Sequence, residues 1–145
     1  MLLISHRGNV KGRFEEFENS PSYIDKAIEL GYDVEVDIRY ISEVLYLGHD
    51  LPQYEISQSW LEERYDRLWI HCKNIEAVEW FNLSDKFNYF WHHRDTVTLT
   101  SNRDIWAFPG KQPIRNSIAV LPELYNDTIE KCKGICSDNI ENYKK

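Results

Sequence analysis

The chain has 145 residues, a hydrophobic share of 42% and a formal net charge of −7. That length predicts one domain over residues 1–145 with a core of its own. The negative charge argues against a nucleic-acid partner, which would require clustered lysine and arginine. No apolar run is long enough for an integral membrane segment, and the first residues, Met-Leu-Leu-Ile-Ser-His, lack the basic start of a signal peptide, so a cytoplasmic location is expected.

The cysteines point to a reducing compartment rather than to a disulfide framework. Their number is odd, and Cys72, Cys132 and Cys136 all lie in apolar contexts. Cys132 and Cys136 would lie one turn apart on a helix, but two thiols without further ligands make a poor zinc site. We interpret all three as structural thiols.

The first half of the chain repeats a strand followed by a loop or a helix. Strands are predicted at residues 2–6, 33–40, 44–49 and 68–73. A first helix begins at Pro21, with Ser20 as N-cap, and ends at Gly31. A second helix starts at Ser57 or Ser59, and Asn74 caps a third.

The second half is rich in predicted strands. These lie at residues 87–92, 96–100, 104–108, 118–121 and 134–137, with one helix near 127–133. Strands that alternate with helices favour a parallel α/β arrangement, and no linker-like segment divides the chain.

The segment 33–39 alternates strictly between apolar and charged residues. Side chains point to opposite faces along a strand, which separates Val34, Val36 and Ile38 from Asp33, Glu35, Asp37 and Arg39. The charged side is an ordinary solvent-facing surface if the strand is half exposed. In a parallel α/β sheet both faces are covered, and buried carboxylates there need a partner or a cation. Glu35 and Asp37 are therefore candidates for sharing a divalent ion.

Three histidines lie at or near the ends of the first, third and fourth predicted strands: His6, His49 and His71. A single histidine in such a position is usually structural. The carboxyl ends of parallel strands form the ligand crevice of α/β folds, so three of them favour a common site. Lys73 shares the parity of His71, and His92 and His93 follow a fifth strand as weaker candidates.

Four motifs in the first third of the chain resemble, in order and spacing, those of the glycerophosphodiester phosphodiesterase family. They are residues 6–8 (His-Arg-Gly), 18–20 (Glu-Asn-Ser), 31–37 (Gly-Tyr-Asp-Val-Glu-Val-Asp) and 48–50 (Gly-His-Asp). Residues 70–73 and 134–138 resemble two later strands of the family more faintly. The resemblance implies a compact (β/α)8 TIM-type barrel, related to the phosphatidylinositol-specific phospholipases. Such barrels typically need about 250 residues, so several helices would be shortened or missing, and the barrel would be partly open or completed in a dimer.

The resemblance also implies a metal-dependent phosphodiester hydrolase acting on a glycerophosphodiester-like or other small phosphodiester, as a monomer or homodimer. It implies that His6 and His49 act as the acid–base pair and that the cations Arg7 and Lys73 bind the substrate. It implies further that Glu35 and Asp37 are metal ligands, joined by His71 if its imidazole binds the ion. Glu18 and Asn19 are expected to orient Arg7 and its loop.

His71 is the main departure from the family pattern, because family members usually carry a third carboxylate there. Family resemblance favours Mg²⁺ or Ca²⁺, whereas an imidazole ligand would favour Mn²⁺ or Zn²⁺. Alternatively, another acid such as Glu123 supplies the missing oxygen. The Arg-Thr-Thr segment usual after His-Asp is replaced by residues 51–55, Leu-Pro-Gln-Tyr-Glu, which leaves the substrate open.

Two other functions fit the same residues. The first is a non-catalytic binding module for a phosphorylated head group or a sugar phosphate. The second is an interaction protein whose five tryptophans form a contact surface, although buried tryptophans explain the same composition.

Overall fold

The computed structural model describes residues 1–145 and contains ten strands, three α-helices and two 3₁₀ helices. The strands are β1 (Leu2–His6), β2 (Asp33–Ile41), β3 (Val44–Leu47), β4 (Tyr54–Ile56), β5 (Leu68–Cys72), β6 (Asn88–Phe90), β7 (Val97–Leu99), β8 (Ile105–Ala107), β9 (Ser117–Val120) and β10 (Gly134–Ser137). The helices are α1 (Pro21–Glu29), α2 (Gln58–Glu62) and α3 (Ile75–Asn82), and the 3₁₀ helices cover Pro122–Leu124 and Ile140–Tyr143.

All ten strands belong to one mixed sheet. Seven of them run parallel in the order β6-β5-β2-β1-β10-β9-β8. β3 pairs antiparallel with the end of β2, β4 pairs antiparallel with β3, and β7 pairs antiparallel with β8. Although β6 and β8 are at opposite ends of the parallel order, the rings of Phe90 and Trp106 are 4.7 Å apart. The sheet therefore curls into a half-barrel with a concave and an outer face.

The prediction of a (β/α)8 TIM-type barrel was wrong. The half-barrel has seven parallel strands, three antiparallel ones and only three short helices, none of them after Asn82. In the connection from β8 to β9, Pro109, Gly110 and Pro113 oppose a helix, because proline lacks the backbone donor and clashes with the preceding turn.

The helix predicted near residues 127–133 is also absent. Within this connection a single turn is closed, by the hydrogen bond from Cys132 N to the carbonyl of Ile129. The carbonyl of Lys131 accepts a hydrogen bond from Asn116 N instead, and that of Lys133 accepts one from Leu2 N. These bonds hold the connection against the starts of β9 and β1.

The three predicted helices of the first half are confirmed, although the side chain of Ser20, at the N-cap position of α1, makes no capping hydrogen bond. Pro21 opens α1, and Gly31 follows it with a positive φ of 95° that favours glycine. The side chain of Ser57 accepts a backbone hydrogen bond at the start of α2, and that of Asn74 does so at the start of α3. No helix of the chain combines the length and the apolar character that a membrane crossing requires.

The two faces of the sheet carry separate cores. The three helices cover the outer face around β2, β3 and β5, where the buried side chains include Ile24, Val34, Val36, Ile38, Leu47, Leu61, Ile70, Ala77 and Phe81. The concave face is filled by a second cluster, which comprises Ile4, Trp69, Phe90, Trp106, Ile118, Val120 and Cys136.

All three cysteines are free thiols, as predicted. Cys72 and Cys136 are buried on two different strands, and Cys132 lies in the loop before β10 rather than one helical turn away from Cys136. Burial raises the pKa of Cys72 to about 12, which keeps this thiol protonated and unreactive.

Candidate metal centre at the carboxyl edge of the sheet

Two carboxylates and one imidazole meet at the carboxyl edge of the parallel strands. Glu35 and Asp37 lie on β2, and His71 is paired with Asp37 on the neighbouring strand β5. One ligand atom from each of the three residues lies within 4.8 Å of the others. His71 Nδ1 is 3.4 Å from Asp37 Oδ1 and 3.7 Å from Glu35 Oε1.

Both carboxylates are buried, and each has an oxygen without a hydrogen-bond partner. Glu35 is 2% exposed and Asp37 is fully buried, while Glu35 Oε2 and Asp37 Oδ1 accept no hydrogen bond. A buried carboxylate oxygen without a donor is costly, and most buried polar groups in proteins are satisfied. These two oxygens, with His71 beside them, form a donor set that fits a divalent cation.

The orientation of His71 leaves one ring nitrogen facing the carboxylates. Its Nε2 lies 2.9 Å from the backbone carbonyl of His92, and a carbonyl can only accept, so Nε2 carries a proton. The ring also stacks on Phe90, with the centroids 5.0 Å apart. Histidine ligands of metals are commonly held in this way by a backbone carbonyl at the second nitrogen.

The protonation of His71 is coupled to the same carboxylates. Burial alone would lower the pKa of His71, but the nearby carboxylates of Asp37 and Glu35 outweigh burial and raise it to about 9. Without a cation, the proton therefore neutralises part of the cluster. A metal ion that binds at Nδ1 has to displace that proton.

Asp37 is held by residues of the loop that follows β1. The side chain of Asn19 donates to Asp37 Oδ2 (2.9 Å) and accepts from Asp37 N (3.0 Å). Arg7 Nε lies 3.0 Å from Asp37 Oδ2, and Arg7 Nη1 donates to Glu18 (3.1 Å). Burial would raise the pKa of Asp37, but His71 and Arg7 hold it below its usual range. Glu18 thus contacts the Arg7 side chain, and Asn19 holds the Arg7 loop through the bond from Asn19 N to the carbonyl of Arg7 (3.0 Å), as predicted, while the side chain of Asn19 also orients Asp37.

His6 is held in place by Asp138, a residue near the other end of the sequence. Its Nδ1 lies 2.7 Å from Asp138 Oδ1, which also accepts a hydrogen bond from Asn9 (2.8 Å). Nε2 then faces the metal cluster, 3.8 Å from Glu35 Oε2. Burial would lower the pKa of His6, but the bond to Asp138 and the charge of Glu35 raise it above 6.5.

His49 lies on the loop after β3, with its side chain 38% exposed and its Nδ1 2.7 Å from Asp50 Oδ1. Arg39 anchors this loop through three backbone carbonyls. It donates to those of His49 (2.7 Å) and Asp50 (3.1 Å), and also to that of Gly48. Arg39 shares its face of β2 with Glu35 and Asp37, so one strand supplies two candidate metal ligands and a support for the loop that carries His49.

A cleft of about 450 Å³ brings most of the predicted site residues together. One part of its lining consists of His6, Arg7, Glu35, His49, His71 and Lys73. The rest consists of His92, His93, Arg94, Trp106, Phe108, Pro109, Val120 and Leu121. Asp37 is the only predicted site residue outside the lining, because it is fully buried within the cluster.

The structure also separates one candidate from the site and adds others. Glu123 accepts hydrogen bonds from Ser137 (2.7 Å) and Tyr143 (3.2 Å) and does not line the cleft, so it is not the third ligand. Sequence reasoning missed the roles of Asp138 and Arg39. Asp138 follows β10 directly, and the rule that singled out the histidines at strand ends applies to it equally.

Comparison of the chain with protein-family models, curated proteins and solved structures found no match. The likeness to the glycerophosphodiester phosphodiesterases therefore stays a prediction that depends on the motifs.

Proposed function

We propose that this protein is a metal-dependent phosphodiester hydrolase. The observation that carries the proposal is the pair of buried carboxylate oxygens, on Glu35 and Asp37, that accept no hydrogen bond beside an oriented His71. Next to them lies His6, whose Nδ1 is held by Asp138, so that its Nε2 faces the same cleft.

Glu35, Asp37 and His71 would hold the divalent ion. A bound cation would offset the negative charge of the phosphoryl oxygens, which otherwise repels a nucleophile. Because one donor is an imidazole, Mn²⁺ and Zn²⁺ suit the site better than Mg²⁺ and Ca²⁺ do.

His6 and His49 move the protons. Asp138 keeps the Nδ1 proton of His6 in place, so its Nε2 is the nitrogen that exchanges a proton with the reactants. One histidine takes the proton from the attacking hydroxyl, which belongs to water or to the substrate itself. The other gives a proton to the leaving oxygen as the phosphorus–oxygen bond breaks, and the two histidines exchange roles in a second step.

Lys73 is a cation that is free to contact the phosphoryl group. It lines the cleft and forms no ion pair with a carboxylate. Arg94, which also lines the cleft, is likewise without an ion pair. Arg7 is engaged by Asp37 and Glu18, so its main role is to hold the metal cluster, although it also borders the cleft.

The test is hydrolysis of bis(p-nitrophenyl) phosphate by the full chain in the presence of Mg²⁺, Ca²⁺, Mn²⁺, Zn²⁺ or a chelator. We expect turnover with metal and none with chelator. His6→Ala and His49→Ala should each lower kcat by about 10²- to 10⁴-fold, the usual contribution of one acid–base group. Lys131→Ala, a change at an exposed residue outside the cleft, serves as the control.

Full activity in excess chelator would remove the metal from the mechanism. Normal turnover in either histidine variant would refute the acid–base assignment. If the protein binds metal and inorganic phosphate but hydrolyses no phosphodiester in a panel of diesters, it is a binding module and not an enzyme.

A further inference from the structure

A second cavity, of about 480 Å³, lies apart from the cleft and shares no lining residue with it. It is enclosed by the loop after β1, by α1 and by the 3₁₀ helix Ile140–Tyr143. Seven of its twelve lining residues are hydrophobic. Its volume is within the range of small-molecule binding sites, about 300–1,000 Å³.

Large apolar side chains at this cavity are left in contact with water. Phe14 and Phe17 are each 48% exposed, and Leu30 is 45% exposed. The ring of Phe17 packs against that of Tyr23, with the centroids 5.8 Å apart, so these two lining rings form one apolar patch. Exposed apolar groups gathered around a concavity are typical of a ligand or interaction site, whereas single scattered ones are not informative.

The charges around the cavity are opposite in sign to those of the whole chain. Lys11, Lys26 and Lys144 line it together with one acid, Glu141, which lies 3.5 Å from Lys11. Lys26 and Lys144 form no ion pair. A local surplus of positive charge in a chain with a net charge of −7 therefore borders an apolar hollow.

We propose that this cavity binds a single-chain anionic amphiphile. Its alkyl chain would lie against Phe14, Phe17 and Leu30, and its phosphate or carboxylate head would lie beside Lys26 and Lys144. The site is independent of the proposed hydrolase function, because it shares no residue with the cleft.

The test is calorimetric titration of the full chain with dodecyl phosphate kept below its micelle concentration. We expect one molecule to bind per chain. Octyl phosphate should bind more weakly, by up to about fourfold for each methylene removed, since each buried methylene stabilises binding by a similar increment. Dodecyltrimethylammonium, which has the same chain and the opposite charge, should bind at least tenfold more weakly.

Two pairs of variants assign the binding to this cavity. Phe14→Ser and Lys26→Glu should each weaken the binding of dodecyl phosphate by about tenfold or more. The matched controls are Leu83→Ser and Lys131→Glu. Both residues lie outside the cavity, and the side chain of Leu83 is 87% exposed, so neither change should alter the affinity for dodecyl phosphate. Circular dichroism checks that all four variants are folded.

Three results would overturn the proposal. One is equal binding of the anionic and the cationic amphiphile. Another is an equal effect of the cavity variants and their controls. The third is association with micelles or anionic vesicles but not with the monomeric amphiphile, which would indicate a membrane-surface patch instead of a binding cavity.

Discussion

The outer and the concave face of the sheet are built from the same strands but differ in composition. On β2, Val34, Val36 and Ile38 point outward into an apolar core, while Glu35 and Asp37 point inward. The outer face thus gains stability from every side chain it buries. The carboxyl edge of the concave face buries charge, which folding alone does not favour.

This difference separates the residues that hold the fold together from the residues that we assign to function. Outer-face substitutions should lower stability and leave chemistry intact. Substitutions at the carboxyl edge should change metal binding and protonation and leave the fold intact. The following predictions test that separation.

The largest expected effect on stability is at Phe81 on the outer face. Its fully buried ring packs against Phe87 at 5.3 Å and Trp80 at 4.9 Å. Phe81→Ala should lower the free energy of unfolding by about 3–5 kcal/mol, because the lost contacts leave a cavity. Urea denaturation measures the change, and Leu83→Ala, at a side chain 87% exposed, should stay within about 0.5 kcal/mol of the parent.

Phe81→Ala should also keep its metal affinity at a temperature where it is folded. Loss of metal binding by the folded variant would show that the two faces are not independent.

The second effect is the stabilisation that a metal ion confers. At a concentration a hundredfold above its Kd, a ligand that binds only the folded state adds about 2.7 kcal/mol. Glu35→Gln should lose this gain, because it removes a charged oxygen that we assign to the ion. Its metal-free stability at neutral pH should also fall, because Glu35 is a charge partner of His71 and His6. Thermal unfolding with and without metal measures both quantities.

Asp33→Asn is the matched control for Glu35→Gln. Asp33 lies on the same face of β2, but it accepts hydrogen bonds from Arg67 (2.8 Å) and Trp69 (3.1 Å) outside the metal cluster. This variant should keep the metal-dependent gain. An equal gain in Glu35→Gln would refute the assignment of Glu35 as a ligand.

The smallest effect is a shift in titration. In the metal-free protein, the His71 ring should titrate near pH 9. The pKa of His92 should lie below 6.5, because burial, and to a smaller extent the positive charge of His71, lowers it. Because the pKa of His71 is raised, its proton stabilises the folded state fully below pH 6.5, and this stability is lost as the pH rises towards 9. NMR of the histidine rings gives both midpoints, and added Zn²⁺ should abolish the His71 titration. A His71 midpoint at or below 6.5 would contradict the carboxylate cluster.

Local patterns in the sequence were sufficient to predict that Glu35, Asp37 and His71 lie close together. Alternation along β2 places Glu35 and Asp37 on one face, and the same parity on β5 turns His71 towards them and Ile70 away. Helix starts were equally predictable, because a cap such as Asn74 depends on residues only three positions away.

The features that were missed depend on contacts between distant segments. Asp138 meets His6 across 132 positions, and the bond that orients His71 comes from the backbone carbonyl of His92, which carries no side-chain signal. The prediction of a (β/α)8 barrel came from the family resemblance, which is confined mainly to the first third of the chain. It was wrong because no α-helix lies after Asn82 to connect the parallel strands there. The helix predicted near 127–133 was also wrong, because the carbonyls of Lys131 and Lys133 bond to Asn116 N and Leu2 N on distant segments.

The bond between His6 and Asp138 also bears on when the site can form. It joins the end of the first strand to the residue that follows the last, and β1 and β10 lie side by side in the sheet. Contacts between residues so distant in the sequence close late, because a long loop has to be ordered first. We therefore expect a chain emerging from the ribosome to complete its outer core on β2 and β5 early, and to orient His6 only after its last strand has docked.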